Sequence, residues 1–267
     1  MSQTNLAAIA EEPILLVDRD ARGVVTLTLN RPNAFNALSE AMLASLQESF
    51  DAVAMDESAR VVVIRAAGRA FCAGHDLREM RATPELDYYE ALFRRCSRMM
   101  LSIQRLPVPV IAQVHGIATA AGCQLVAQCD LAVAASDARF AVSGVNFGLF
   151  CGTPSVALSR NLLRKAAFEM LVTGDFISAA QALEKGLVNR VADPAELDAA
   201  VAALVASILA KPRQAVAMGK ALFYRQIEAG VEAAYEDASR TIAANMMADC
   251  AVEGVQAFLE KRKPDWR

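Results

Sequence analysis

Hydrophobic positions along the first half of the chain switch repeatedly between two periods. Residues 13–17 and 24–30 are rich in Val, Leu, Ile and Thr and flank a charged turn at 19–23, which predicts a hairpin. Leu43, Leu46, Phe50 and Val53 then recur at helical spacing behind Ser39, a residue type that caps helix N-termini by accepting a backbone N–H. A β-branched run at 60–66 predicts a buried strand, and 88–106 returns to helical periodicity, with Arg94, Arg95, Arg98 and Arg105 on a solvated face. A strand at 108–114, a helix at 119–128 and a strand at 131–135 follow. This strand–helix rhythm predicts layered α/β structure. After Ser155 the strand pattern gives out, and 156–172, 179–185, 194–209, 212–248 and 252–261 all read as helical, with Gly230 a break point in the fourth. The division predicted is a leader at 1–12, an α/β core at 13–200 and a C-terminal helical region at 201–267.

Composition narrows the class. Hydrophobic residues make up 55% of the 267 and charged residues 21%, which excludes global disorder. Lys and Arg number 27 against 30 Asp and Glu, a balance without the basic excess of a nucleic-acid binder. The uncharged stretch 106–129 carries two prolines, three glutamines and His115, which argues against a membrane span. The first residues lack both a basic start and the apolar core of a signal peptide, so a cytoplasmic location is expected. The six cysteines form no CxxC pair and only two histidines exist, so buried thiols are expected and no metal site.

Two loops carry candidate chemistry. Residues 69–77 (RAFCAGHDL) place small residues between a strand and a helix, where backbone N–H groups can approach a ligand closely. Residues 114–125 (VHGIATAAGCQL) end a strand and open a helix, whose N-terminus presents unpaired N–H donors and a positive dipole end. Together two such loops can form an oxyanion hole. Asp76 reads as a helix cap and His115 as structural.

RPNAFNAL at 31–38, FCAGHDL, PVPVIAQVHGIATAAGCQL, CDLAVAASDARFAVSGVNFGL, TGDFISAAQALEKGLV and the terminal FLEKRKPDW, in that order, resemble the enoyl-CoA hydratase/isomerase (crotonase) superfamily over 13–266. The resemblance implies a spiral of ββα units, with a helical C-terminal region that builds a homotrimer or hexamer. It implies an acyl-CoA thioester as ligand, with coenzyme A part of the substrate and no separate cofactor. The two oxyanion-hole donors fall on His75 and Ala121. Asn33, Ala34, Ala73, Asp76 and Leu77 fall where the family touches CoA, and Phe258 and Lys261 where its C-terminal region approaches CoA. Asn33 stands where many members carry lysine.

At the family's two hydratase glutamates this chain has Gln124 and Gly144. Glutamine cannot act as a general base near neutral pH, and glycine supplies no side chain. No Asp or Glu occurs at 91–129 or 138–168, and Asp130 and Asp137 between them read as structural. The remaining candidates for chemistry are His75, Cys123, Ser143, Asn146 and Cys151. Ordinary hydration is therefore doubtful. The alternatives are decarboxylation or hydrolysis of an acyl-CoA involving His75, and acyl-CoA binding without turnover.

Overall fold

The computed structural model describes residues 12–266, so all of the 1–12 leader except Glu12 lies outside the described residues. β1 (Leu15–Arg19) and β2 (Val24–Leu29) form the antiparallel hairpin expected from their alternation. Ser39 caps α1 (Glu40–Ala54), its hydroxyl accepting the Met42 N–H at 3.2 Å, and the helix buries Leu43, Leu46, Phe50 and Val53. β3 (Val61–Ala66) follows, then α2 (Leu77–Ala82) and α3 (Leu86–Arg105). β4 (Val110–Val114), β5 (Ile117–Thr119) and α4 (Ala121–Gln128) come next, then β6 (Leu131–Ala135) and β7 (Arg139–Ala141). After a short 3-10 turn at Ser143–Phe147 the chain runs through α5 (Gly152–Asn161) and α6 (Arg164–Thr173), then β8 (Ile177–Ser178), α7 (Ala179–Glu184) and β9 (Arg190–Ala192). It ends in α8 (Leu197–Leu209), α9 (Arg213–Gln226), α10 (Val231–Met246) and α11 (Asp249–Leu259).

The large sheet has the order β1-β2-β3-β4-β6-β9, parallel from β2 onward. Its central strands read as continuous apolar runs because both faces are buried: Val61, Val62 and Ile64 are fully buried. A second sheet has the order β5-β7-β8. The ββα repeat is visible in how strands are shared out. β4 enters the large sheet, β5 the small one, and α4 follows; β6 and β7 repeat the division before α5. An earlier copy is abbreviated: β3 lies in the large sheet, and Cys72 bridges to Ala118 of β5.

Three expectations change. The strand pattern does not end at Ser155, since β8 and β9 lie beyond it; at two and three residues they are too short to show a period. The single helix expected over 156–172 is two, α5 starting at Gly152 and breaking at Leu162 and Leu163. There Asn161 turns its amide onto the Ala127 and Ala157 carbonyls, both at 2.8 Å, and Leu162 drops into the core. The helix expected from Thr119 begins at Ala121, because Thr119 is committed to β5. Gly230 does separate α9 from α10.

Residue 200 lies inside α8, whose Val201 and Val205 are buried in the same core as the sheet. The later helices are tied to that core by Lys220 of α9. Its ammonium group donates to the Ile103 and Val108 carbonyls at 2.8 Å and to Asp130 Oδ2 at 2.6 Å. Tyr224 donates to Asp130 Oδ1 at 2.7 Å, and the Val110 N–H to Oδ2 at 2.6 Å. Asp130 is thus structural, as its position at a strand end suggested. Burial pulls the Lys220 amine below its usual range, and the Asp130 charge opposes that shift. No helix among the described residues is long and apolar enough to cross a membrane.

Candidate active site

The two chemically suggestive loops meet, and glycine lets them. Gly74 has φ +96°, and a Cβ on it would lie 2.9 Å from Ala120 Cβ and 3.3 Å from Ala121 N. A Cβ on Gly122 would lie 2.2 Å from the Cys72 carbonyl oxygen. The start of α4 therefore sits directly against the backbone of residues 72–74.

This packing places two backbone N–H groups at residues that line a common space. Leu38 N–H donates to the Gly74 carbonyl at 2.8 Å, and Asp76 N–H donates to the Leu38 carbonyl at 3.3 Å. Extended backbone alternates its bonding groups, so the His75 N–H faces away from Leu38. Ala121 is the first residue of α4, where N–H groups lack intrahelical partners. Among the described residues neither N–H has a protein acceptor. Ala120 between the loops has φ 50° and ψ −120°, a conformation rare for any residue but glycine. Backbone strain of this kind costs about 1–3 kcal/mol and concentrates at functional sites.

Both residues line one apolar cavity of about 330 Å³. Ala73, Leu77, Met80 and Phe93 form one side, and Ser143, Gly144, Phe147, Leu149, Phe150, Cys151 and Pro154 the other. Among the described residues, no Asp or Glu lines it. The His75 ring stacks edge-on against Phe93 with centroids 5.4 Å apart, and both ring nitrogens are buried without a hydrogen-bond partner among the described residues. Burial pushes the imidazole below its ordinary value, with the Leu38 backbone pulling weakly the other way, so the ring is neutral at pH 7.

The cavity thus unites His75, Ala121 and Gly144 with the expected CoA contacts Ala73 and Leu77. It does not include Gln124, which is buried in α4 with its side-chain oxygen unpartnered. Nor does it include Asn33, Ala34, Asp76, Phe258 or Lys261. Asp76 instead caps α2 by accepting the Arg78 N–H at 3.1 Å, and it pairs with Arg31 at 3.1 Å. Burial works against its charge, but the Arg31, Arg78 and Glu79 donors outweigh burial and hold the carboxyl below its usual range. Phe258 is exposed on α11 and Lys261 follows that helix with φ 56°.

The cysteine and serine candidates resolve differently. Burial pushes the Cys123 thiol up to about 12, far from a thiolate at neutral pH. Cys151 accepts the Gly144 N–H at 3.3 Å, and burial raises its thiol also. Ser143 faces the cavity and exchanges a hydrogen bond of 3.0 Å with Thr119. Asn146 is exposed, its amide 3.5 Å from the Gly174 carbonyl. His115 Nε2 bonds the Gly68 carbonyl at 2.8 Å. Among the described residues, no group of three His, Cys, Asp or Glu could hold a metal ion.

One positioning residue escaped the sequence reading. Asn36 is fully buried at φ 54°; its side chain accepts the Arg31 N–H and donates to the Ala67 and Ala70 carbonyls at 2.8 and 2.7 Å. It thereby locks the 31–38 loop onto the 69–77 loop. The available signal was asparagine's tolerance of left-handed backbone inside a loop motif.

Comparison with known proteins agrees with this architecture. The model of the family "Enoyl-CoA hydratase/isomerase" matches residues 19–267. Mouse enoyl-CoA hydratase domain-containing protein 3, mitochondrial, is 44% identical over 260 residues, covering 97% of this chain and 87% of its own. The crystal structure of an enoyl-CoA hydratase from Mycobacterium smegmatis superposes with a TM-score of 0.95 at 70% identity, covering 96% of this chain and 99% of that one. That of human enoyl-CoA hydratase domain-containing protein 3 superposes at 0.92 with 44% identity, covering 95% and 100%. These matches correct the expectation of a cytoplasmic protein, since the mouse relative and its rat and human counterparts are named mitochondrial. With the ordered motifs, the ββα repeat and the matched length in agreement, the chain belongs to the enoyl-CoA hydratase/isomerase family.

Proposed function

We propose that this protein binds an acyl-CoA thioester with the carbonyl oxygen between the N–H groups of His75 and Ala121, and stabilises the enolate form of that thioester. The observation that carries this reading is the pair of acceptor-free N–H groups on one apolar cavity. In water-poor surroundings such donors act most strongly on charge that develops during reaction, and each contributes about 3–4 kcal/mol. Residues Asn33, Ala34, Ala73, Asp76 and Leu77 would hold CoA, with Phe258 and Lys261 approaching from the C-terminal region. A homotrimer or hexamer is proposed, for which the exposed Tyr235, Ile242, Met247 and Phe258 of the C-terminal helices offer apolar surface.

Ordinary hydration is disfavoured in this reading. It requires one group to activate water at Cβ and another to protonate Cα. Among the described residues no carboxylate lines the cavity, and a Cβ at Gly144 would sit 2.5 Å from the Leu149 carbonyl oxygen. Each missing acid–base group costs a factor of about 10²–10⁴. Decarboxylation of a malonyl-type thioester fits better, because it removes no carbon-bound proton. The bond from Cα to the carboxylate breaks, its electron pair enters the enolate, carbon dioxide leaves, and Cα then takes a proton from water. A neutral His75 beside that enolate favours this second reading over hydrolysis, which needs an activated nucleophile that the high cysteine thiols do not supply.

The test combines three measurements on one preparation: calorimetric binding of butyryl-CoA, loss of the conjugated absorbance of crotonyl-CoA, and carbon dioxide release from methylmalonyl-CoA. Butyryl-CoA is expected to bind and crotonyl-CoA to persist. Carbon dioxide release that disappears in His75→Ala while butyryl-CoA still binds supports decarboxylation. Binding without any turnover assigns a non-catalytic acyl-CoA binder. Crotonyl-CoA hydration at an ordinary enzymatic rate overturns the argument from the missing carboxylates, and failure of butyryl-CoA to bind overturns the whole reading.

A further inference from the structure

Phe93 is a wall that the apolar cavity shares with a second space. Phe93 and Thr153 also line a second, open groove that runs along the outer side of α3. Glu90, Arg94, Ser97 and Arg98 line that groove too. Phe93 and Ser97 lie four residues apart and share one helix face, and Arg94 and Arg98 flank it in the same way. Leu101, eight residues past Phe93, lines it as well, so the groove extends about two helical turns, roughly 11 Å, beyond the Phe93 ring, with Arg98 partway along it.

The charges on this groove are unequal. Arg94 pairs with Glu90, so those two offset each other. Arg98 has no ion-pair partner among the described residues, and its guanidinium stands as the uncompensated charge. Among the described residues the cavity itself carries no Asp, Glu, Lys or Arg, and its imidazole is neutral. A ligand that runs from the cavity into the groove as far as Arg98 is thus apolar near the thioester and anionic at its tip.

We infer that the distal end of the acyl chain passes Phe93 and Thr153 into the groove, where Arg98 receives a terminal carboxylate, so that the ligand is the CoA thioester of a dicarboxylic acid. The inference rests on the acyl-CoA reading above and names the substrate class for the same site. Arg98 binds the substrate's remote end and takes no part in the chemistry. Phe93 is the partition an acyl chain must pass, and its ring is held by the edge-on contact with His75.

Four saturated thioesters test this by calorimetry: hexanoyl-CoA against adipyl-CoA, and octanoyl-CoA against suberyl-CoA. Within each pair only the terminal carboxylate differs. In at least one pair the dicarboxylic member is expected to bind about two- to fivefold tighter, the range for a solvent-accessible ion pair, and that ratio is expected to shrink in high salt. Arg98→Met is expected to bring the ratio to one, and Arg98→Glu to invert it. Ratios of one or less in both pairs, or a preference that survives Arg98→Met, overturn the inference while leaving the acyl-CoA reading intact if the monocarboxylic thioesters bind. Absence of binding by all four overturns both.

Discussion

Gly122→Ala is the sharpest test of how the two N–H donors are held together. Helix propensity alone predicts a gain, since glycine inside a helix is less favourable than alanine by roughly 0.5–1 kcal/mol. The packing predicts the opposite sign. The new Cβ would lie 2.2 Å from the Cys72 carbonyl oxygen and 2.8 Å from both Cys72 C and Cys72 Cβ. A carbon–oxygen contact needs about 3.3 Å, so the first turn of α4 and the 72–75 loop must part by roughly 1 Å. The obstructing atoms are backbone or Cβ and cannot rotate aside. Overpacking of this kind costs about 1–3 kcal/mol, which outweighs the propensity gain.

The same displacement separates Ala121 from His75, because Ala121 precedes the substituted residue and His75 lies three residues beyond Cys72. A 1 Å misplacement of catalytic groups costs about 10²-fold. Two readouts are required. Urea unfolding gives the stability change, and difference infrared spectroscopy of carbonyl-labelled crotonyl-CoA reports how strongly the bound carbonyl is polarised. Gly219→Ala is the control: it lies within α9, and a Cβ there meets nothing within 4 Å. The control is expected to gain up to about 1 kcal/mol. Gly122→Ala is expected to lose stability, with the carbonyl band moving back toward its position in water. A Gly122→Ala protein that is more stable than the parent, with an unmoved carbonyl band, would refute the reasoning.

Other perturbations follow from the same geometry. Asp130→Ala strands the buried Lys220 ammonium and is expected to cost about 3–5 kcal/mol in urea unfolding, with Asp130→Ala/Lys220→Met recovering a substantial part; a neutral single substitution refutes this. His75 is depressed in the folded chain, so below about pH 6.5 the unfolded chain takes up a proton that the folded one refuses. Stability is therefore expected to fall more steeply with decreasing pH in the parent than in His75→Gln, by at most about 1.4 kcal/mol per pH unit, and parallel curves contradict it. Gly144→Glu is expected to destabilise the protein and to leave crotonyl-CoA unhydrated, because its Cβ would meet the Leu149 carbonyl at 2.5 Å and Cys151 Sγ at 2.7 Å; a folded variant that hydrates crotonyl-CoA would show that the 143–151 segment yields.

Much was legible in sequence wherever a local rule acts alone. The β1–β2 hairpin, the Ser39 cap, the buried β3 run and the Asp76 cap each follow from a period or a residue type. Ordered motifs likewise marked the loops at 69–77 and 114–125, which the structure brings together. Elements set by partners were not legible. β8 and β9 are strands because β7 and β6 accept their backbone groups, and runs of two or three residues carry no period. The break at Leu162 depends on carbonyls that Asn161 finds in another helix as well as its own. The site followed the same division. Residue identities alone determined that His75 and Ala121 carry N–H groups in glycine-containing loops, and that carboxylates are missing from both motif spans. Only tertiary packing decided that those N–H groups lack acceptors among the described residues, that Gln124 lies outside the cavity lining, and that Phe93 and Thr153 stand between the cavity and an arginine-lined groove. Those facts depend on distances between segments far apart in the chain, and such distances are set by core packing rather than by any local pattern.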